Sequence, residues 1–260
     1  MSVTFDYSGK VAVVTGGAKG IGGSTSTRFL ESGANVAILD TDEEAGTERA
    51  SAFADRALFI RCDVSKSSEV AMAFDRIIDR FGGVDYLVNN AGIQRYSTVT
   101  ETSDEEWDLV MNVNLKSAFL CARAAIPSML ERGAGVVVNV SSVQAMHSQN
   151  KVAPYTTSKT AMLGLTRSIA VDYAPSVRCV AVCPGTVDTP MMAWAAQQSP
   201  DPAAVYREVN EMHLSNRIAS PDEVAALILF LCSDEAGFMT GQPYRIDGGL
   251  GIVLAGSKQE

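Results

Sequence analysis

Histidine is scarce in this chain: His147 and His213 are the two such residues among 260. No cysteine clusters with either one, so a structural or catalytic zinc has no ligand set and no metal site is expected. The five cysteines, Cys62, Cys121, Cys179, Cys183 and Cys232, keep no framework spacing, and each lies in an apolar stretch. They read as small buried hydrophobes in a reducing compartment. Positive charge is in deficit as well, with 21 Lys and Arg against 30 Asp and Glu and a formal charge of -9. With no basic run either, a nucleic-acid partner is not expected. No hydrophobic run reaches the length of a bilayer crossing, and the stretch around Asp6 lacks the basic and apolar regions of a signal peptide. The expectation is a cytoplasmic protein without a membrane partner. Repeats and linkers are missing too, which leaves one domain over residues 1–260.

What the chain does have is apolar residue, 47% of it, enough at this length for one shared core. Residues 10–15 are a short β-branched run, read as a buried strand. The run leads straight into Gly16-Gly17-Ala18-Lys19-Gly20-Ile21-Gly22 and a helix to about Ser32. Strand, glycine loop and helix in that order set backbone N–H groups and a helix N-terminus against a pyrophosphate. Ser24-Thr25-Ser26-Thr27 are poor helix formers within that helix, and the sequence offers no functional account of them. Residues 35–40 form a second strand that ends in Asp40, about twenty residues beyond the glycines, where a dinucleotide fold places a carboxylate on the adenosine ribose. The other reading of Asp40 is a helix N-cap before Glu43, a role that Asp42 fills equally. Lys19 could meet a 2′-phosphate, but Asp40, Asp42, Glu43 and Glu44 make this corner acidic, so NAD is preferred.

Further strands are expected at 57–62, 84–88, 135–140 and 177–182, with a last one from Pro243. Helices are expected at 70–81, at 103–129 with Ser103 as N-cap, from 155 onward, and up to Cys232 behind a Ser220 cap. The inward stripe of the long helix would hold Trp107, Met111, Asn114, Ala118, Ala122 and Ile126, with Asn114 as a satisfied core amide. This alternation predicts an α/β fold, a doubly wound parallel sheet of Rossmann type in a single domain. Over 190–216 the periodicity weakens around Ser199-Pro200-Asp201-Pro202, and this segment reads as an irregular substrate lid with one short helix.

Pro154 suits the start of a helix, and the apolar residues after it recur at helical spacing. Tyr155 and Lys159 are therefore i and i+4, side by side on its first turn. An ammonium beside a phenol favours the phenolate. Bringing a phenol from about 10 to about 7 needs about 4 kcal/mol. One ammonium at ~4 Å supplies about that much at an effective dielectric of ~20. Such a pair on a helix is more often simply solvated.

Taken together, the motifs resemble the short-chain dehydrogenase/reductase family over roughly residues 10–249. They are T-G-G-A-K-G-I-G (15–22), Asp63-Val64, N-N-A-G (89–92), Asn114, Ser142, Y-T-T-S-K (155–159), P-G-T-V-D-T (184–189) and I-D-G-G (246–249). The resemblance implies that Tyr155 is the acid/base, that Lys159 lowers its pKa and holds the nicotinamide ribose, and that Ser142 hydrogen-bonds the reacting oxygen. Asn114 would anchor a water in the proton relay. Cofactor contacts carried over with it are Gly16, Lys19, Gly20, Ile21 and Gly22 in the loop and Asp40 at the ribose. Asp63 and Val64 would lie at the adenine, with Asn89, Ala91, Gly92, Pro184, Gly185, Val187 and Thr189 along the rest of the dinucleotide. The family also implies a homotetramer, to which an apolar tail at 250–254 would add an interface. Two rivals remain. An NADPH-dependent 3-oxoacyl-type reductase would want a basic residue in place of Asp40. A non-catalytic dinucleotide-binding redox sensor would have lost Ser142, Tyr155 or Lys159.

The expected substrate is a small polar molecule, a sugar or sugar acid oxidised at one carbinol. Gln144, His147, Gln149 and Asn150 crowd the loop between Ser142 and Tyr155, and Gln94 and Arg95 follow the N-N-A-G turn. Unpaired amides and a guanidinium against hydrocarbon would be costly. Arg95 suggests an anionic group on the substrate. Met191 and Trp194 are expected in the lid, the latter as an apolar face for a sugar ring.

Overall fold

The computed structural model describes residues 5–252. Its strands are β1 (Val11–Thr15), β2 (Asn35–Asp40), β3 (Ala57–Arg61), β4 (Tyr86–Asn89), β5 (Gly135–Val140), β6 (Val177–Pro184) and β7 (Pro243–Ile246). They form one parallel sheet in the order β3-β2-β1-β4-β5-β6-β7. The helices are α1 (Gly20–Glu31), α2 (Glu43–Ser51), α3 (Ser67–Phe81), α4 (Asp104–Met111), α5 (Ser117–Glu131), α6 (Ala153–Tyr173), α7 (Pro190–Gln197), α8 (Pro202–Met212) and α9 (Pro221–Cys232).

A strand turns alternate side chains to opposite faces. Val11 and Val13 accordingly pack with Val70, Phe74 and Ile77 of α3 and Ile126 and Met129 of α5. Ala12 and Val14 face the other way, into Phe29 and Leu30 of α1 and Val224 and Ile228 of α9. Each fully buried Val, Leu or Ile adds roughly 2 kcal/mol of apolar transfer, so both faces hold the sheet. The expected doubly wound architecture is present. The chain order reverses between β1 and β4, and the crevice beyond their carboxyl ends is where such a fold receives a ligand.

The expected caps are in place. Ser103 Oγ accepts from Glu106 N–H at 3.2 Å, and Ser220 and Glu223 form a reciprocal capping box. Four expectations need correction. The 103–129 helix is not uniform: a π turn, Asn112–Lys116, joins α4 to α5 and carries the buried Asn114. Trp107, expected on the inward stripe, is 38% exposed, because that turn rotates the stripe between the two halves. From Asp104 to Glu131 the joined helix is 28 residues long and apolar enough to cross a bilayer, contrary to the reading that no run is. Half of its apolar window is buried within the protein, as befits a core helix. Finally, 190–216 is not irregular. Thr189 and Asp201 cap α7 and α8, each of which begins with proline, so the Ser199–Pro202 break marks a second helix start. At the C-terminus, Leu250–Ile252 is a short 3-10 turn, and Val253 and Leu254 of the expected apolar tail lie outside the described residues.

Candidate active site

A cavity of about 1090 Å³ runs along the carboxyl ends of the strands. At one end the loop after β1 supplies Gly16, Lys19, Gly20 and Ile21, with Asp40 from the end of β2 and Asp63 and Val64 from beyond β3. Gly22 lies beneath rather than on the wall. A Cβ there would sit 2.1 Å from the Gly16 carbonyl oxygen, so this glycine is what lets α1 fold back against the loop. Two of the hydroxyls of 24–27 also find their use here: Ser26 Oγ donates to the Gly17 carbonyl at 3.1 Å, and Arg49 reaches Thr27 Oγ1 at 2.6 Å and the Ala18 carbonyl at 2.9 Å.

The Asp40 carboxylate accepts from Ala18 N–H at 3.0 Å and Asp42 N–H at 3.1 Å, which fixes it at the cavity wall. Capping of α2 falls to Asp42, which accepts from Ala45 N–H at 3.1 Å and also pairs with Lys19 at 2.5 Å. Lys19, the one basic residue considered for a 2′-phosphate, is thus held by an acid. No side chain caps α1 and its first turn carries no acid, so the N–H groups there face the cavity end without a side-chain acceptor. That end fits the pyrophosphate of a dinucleotide.

Ala91, Gly92, Pro184, Gly185, Val187 and Thr189 continue the wall, but Asn89 does not. Asn89 is the last residue of β4 and points into the core, where its Nδ2 donates to Asn139 Oδ1 at 2.9 Å. Its neighbour lines the cavity instead: Asn90 Nδ2 donates to the carbonyls of Thr15 and Gly16 at 3.0 Å each. Strand alternation was the available signal, since adjacent residues of an Asn-Asn pair face opposite ways.

At the centre Ser142, Tyr155 and Lys159 meet on the same cavity, and all three are buried. Lys159 Nζ donates to the Val140 carbonyl at 2.8 Å and lies 5.7 Å from the centroid of the Tyr155 ring. Ser142 Oγ accepts from Gln144 N–H at 3.1 Å, and its hydroxyl favours the charged form of Tyr155. The expected lowering of the tyrosine pKa is reversed. Burial pushes Tyr155 up to about 12, against a smaller opposite pull from Ser142, and burial draws Lys159 down to about 8. Desolvation of the charged form dominates at both residues, because one backbone carbonyl replaces the lysine's water shell only in part.

Asn114 sits behind this group rather than on the wall. Its Oδ1 accepts from Ile93 N–H at 2.8 Å, and its Nδ2 donates to the Ile93 carbonyl at 2.9 Å and Ser158 Oγ at 3.1 Å. Both amide protons are committed, so the side chain positions the Gly92–Ile93 turn.

At the far end, Gln144, His147 and Gln149 line the cavity, together with Gln94 and Met191. Gln144 Nε2 donates to Gln149 Oε1 at 2.9 Å, while its own Oε1 is buried without a partner among the described residues. Asn150, Arg95 and Trp194 do not line it. The Arg95 guanidinium lies 5.6 Å over the Trp194 ring, and Tyr96 stacks on the same indole at 5.9 Å and 7°. An aromatic face competes well for a guanidinium, which is why Arg95 leaves the cavity. Among the lining residues the sequence missed are Tyr96, Met192, Val205, Glu208, Val209, Met212 and Leu250. The four from α8 share a single face at spacings of three and four, the available signal once a helix is known there.

The family model described as enoyl-(acyl carrier protein) reductase matches residues 16–251. A 2-(R)-hydroxypropyl-CoM dehydrogenase of Xanthobacter autotrophicus is 40% identical across 92% of this chain and 97% of its own. A 3-alpha-(or 20-beta)-hydroxysteroid dehydrogenase of Mycobacterium tuberculosis is 36% identical across 95% of this chain and 91% of its own. The ligand-free aldohexose dehydrogenase of Thermoplasma acidophilum superposes with a TM-score of 0.90 at 38% identity, covering 98% of both chains. Similarity of this extent, on a sheet of this order, places the chain in the short-chain dehydrogenase/reductase family, an oxidoreductase of alcohols and ketones that binds a nicotinamide dinucleotide.

Proposed function

We propose that the protein is an NAD-dependent dehydrogenase that interconverts a secondary alcohol and its ketone, or a hemiacetal and its lactone, on a small neutral hydroxylated substrate. The observation that carries the reaction is the meeting of Ser142, Tyr155 and Lys159, all buried, on one cavity wall. When bound, the nicotinamide supplies or accepts the hydride. Ser142 Oγ holds the reacting oxygen, and Tyr155 gives it a proton as the phenol or takes one as the phenolate. With its pKa pushed up, Tyr155 keeps its proton at neutral pH and stands ready as the acid for a ketone. Lys159 would hold the nicotinamide ribose, and Asn114 braces the turn at Ile93.

The acidic corner at Asp40 supports NAD. A 2′-phosphate would lie against that carboxylate, and Lys19, the cation that lines this end of the cavity, is engaged by Asp42. For the substrate, one wall is polar (Gln144, His147, Gln149), and the facing pair α7 and α8, read here as the lid, contributes Met191, Met192, Val205, Val209 and Met212. A sugar matches that asymmetry, with hydroxyls on one side and C–H groups on the other. An anionic sugar matches it less well than expected from the sequence, because Arg95 is turned onto Trp194 and the charged residue that the lid helices bring to the cavity wall is Glu208. The methionines favour a second reading, an amphipathic alcohol with a larger apolar body.

Steady-state kcat/KM over a panel of neutral aldoses, aldonic acids, polyols and hydroxysteroids, with NAD and NADP, tests the assignment. Neutral sugars with NAD are expected to lead. Exclusive turnover of steroids moves the function to the second reading, and a preference for aldonic acids overturns the charge argument.

A further inference from the structure

His213, the residue just past α8, is 4% exposed and bonded through both ring nitrogens. Nδ1 lies 2.6 Å from the Val209 carbonyl, and Nε2 accepts the Thr186 N–H at 3.1 Å. A carbonyl only accepts, so Nδ1 carries the proton; a backbone N–H only donates, so Nε2 offers its lone pair. A single neutral tautomer satisfies both. The approach is close: a Cβ on Gly185 would come 2.8 Å from Nε2, so a glycine is needed for the backbone to reach the ring.

Both ends of this join belong to segments that line the cavity. Gly185 and Thr186 belong to the loop after β6 on the dinucleotide side, whereas Val209 and Met212 line the substrate end from α8. The chain beyond His213 returns to the same loop, with Ala219 N–H donating to the Thr186 carbonyl at 3.0 Å and Asp188 N–H to the Ala219 carbonyl at 2.9 Å. Thr186 is thus held on its carbonyl side by backbone and on its N–H side by the imidazole. The imidazole reaches from that residue to the last turn of α8.

We propose that His213 is a positioning residue, which sets α8 against the cofactor-facing loop and so sets the closure of the substrate end. It rests on the dehydrogenase reading for what the cavity does, but not for the join itself. Loss of the Nε2 acceptor strands the Thr186 N–H and frees the last turn of α8. A contact of α8 with the substrate is made alike in the ground and transition states, so its loss raises KM and spares kcat.

The test compares His213→Asn with His213→Gln. Asparagine places its amide near Nδ1, within reach of Val209 but short of Thr186, whereas the longer glutamine can put its Oε1 where Nε2 stands. Asn is expected to raise KM for the alcohol roughly ten-fold, with kcat held within about three-fold, and Gln to return KM close to wild type. Hydrogen exchange read by mass spectrometry is expected to quicken across residues 202–212 in Asn and not in Gln. Wild-type KM and exchange in the Asn variant overturn the proposal, as does equal damage by Gln. A fall in melting temperature with KM unmoved assigns His213 to stability alone. If the wild-type protein oxidises no alcohol, the dehydrogenase reading fails, and the exchange comparison still decides the join.

Discussion

Lys159 carries an ammonium at 3% exposure, and its pKa of about 8 is a statement about folding as well as chemistry. Unfolded, it titrates at 10.5. Between those values the unfolded chain binds the extra proton, so stability rises with pH across the window. Below pH 8 the native state bears the full penalty of about 3 kcal/mol. Lys159→Met is therefore expected to raise the Tm at pH 7, with the gain shrinking from pH 8 to 10.5, while activity is lost; thermal denaturation across that range checks it. Tyr155 has the opposite sign. Its folded pKa of about 12 lies above the unfolded 10.0, so its contribution is present below pH 10 and lost as pH rises toward 12. Tyr155→Phe is expected to keep the fold and NAD binding, flatten that alkaline decline and reduce kcat by at least ~10²-fold. Substantial turnover by the Phe variant would remove Tyr155 from the reaction. The adjacency of the pair was readable from an i, i+4 spacing after a proline. The direction of the tyrosine shift was not, because spacing carries no information on burial.

Elements explain why some residues were read well and others poorly. Asp40 ends a strand whose register is set by five pairings with β1, so its place was fixed by counting from the glycines. Here NAD is expected to exceed NADP in kcat/KM, with Asp40→Ala narrowing the gap; equal efficiency in the wild type would refute the ribose assignment. The same strand logic gave β2 and β5 to the residue. Asn89 was misread because a motif was followed where alternation should have been. Arg95 and Trp194 were expected to meet the substrate and instead meet each other, a contact across 99 positions that no local pattern encodes. The helices α7 and α8 announced themselves through caps and prolines, but their weak periodicity hid them.

At the scale of the molecule, the surface retains apolar ground that the monomer does not use. Leu109, Trp107 and Phe119 are 43%, 38% and 46% exposed, and a groove between the α4–α5 junction and α6 is lined by Met111, Asn112, Leu115, Lys116, Phe119, Ala161 and Leu165. Phe238 stands fully exposed in the turn before β7. This exposed apolar surface motivates the expectation of a tetramer. Light scattering at micromolar concentration is expected to give four chains, and a monomer would contradict it. The sheet order has a further consequence, for how the chain reaches this state. Every neighbouring strand pair is parallel, so folding has no hairpin to begin from. β1 finds β4 only after the whole of β2, α2, β3 and α3 has been made. During synthesis the β-branched Val11–Thr15 must wait with one edge unpaired for that partner. Slow collapse and an aggregation-prone nascent chain are therefore expected, and dilute, cool refolding should recover more protein than concentrated refolding.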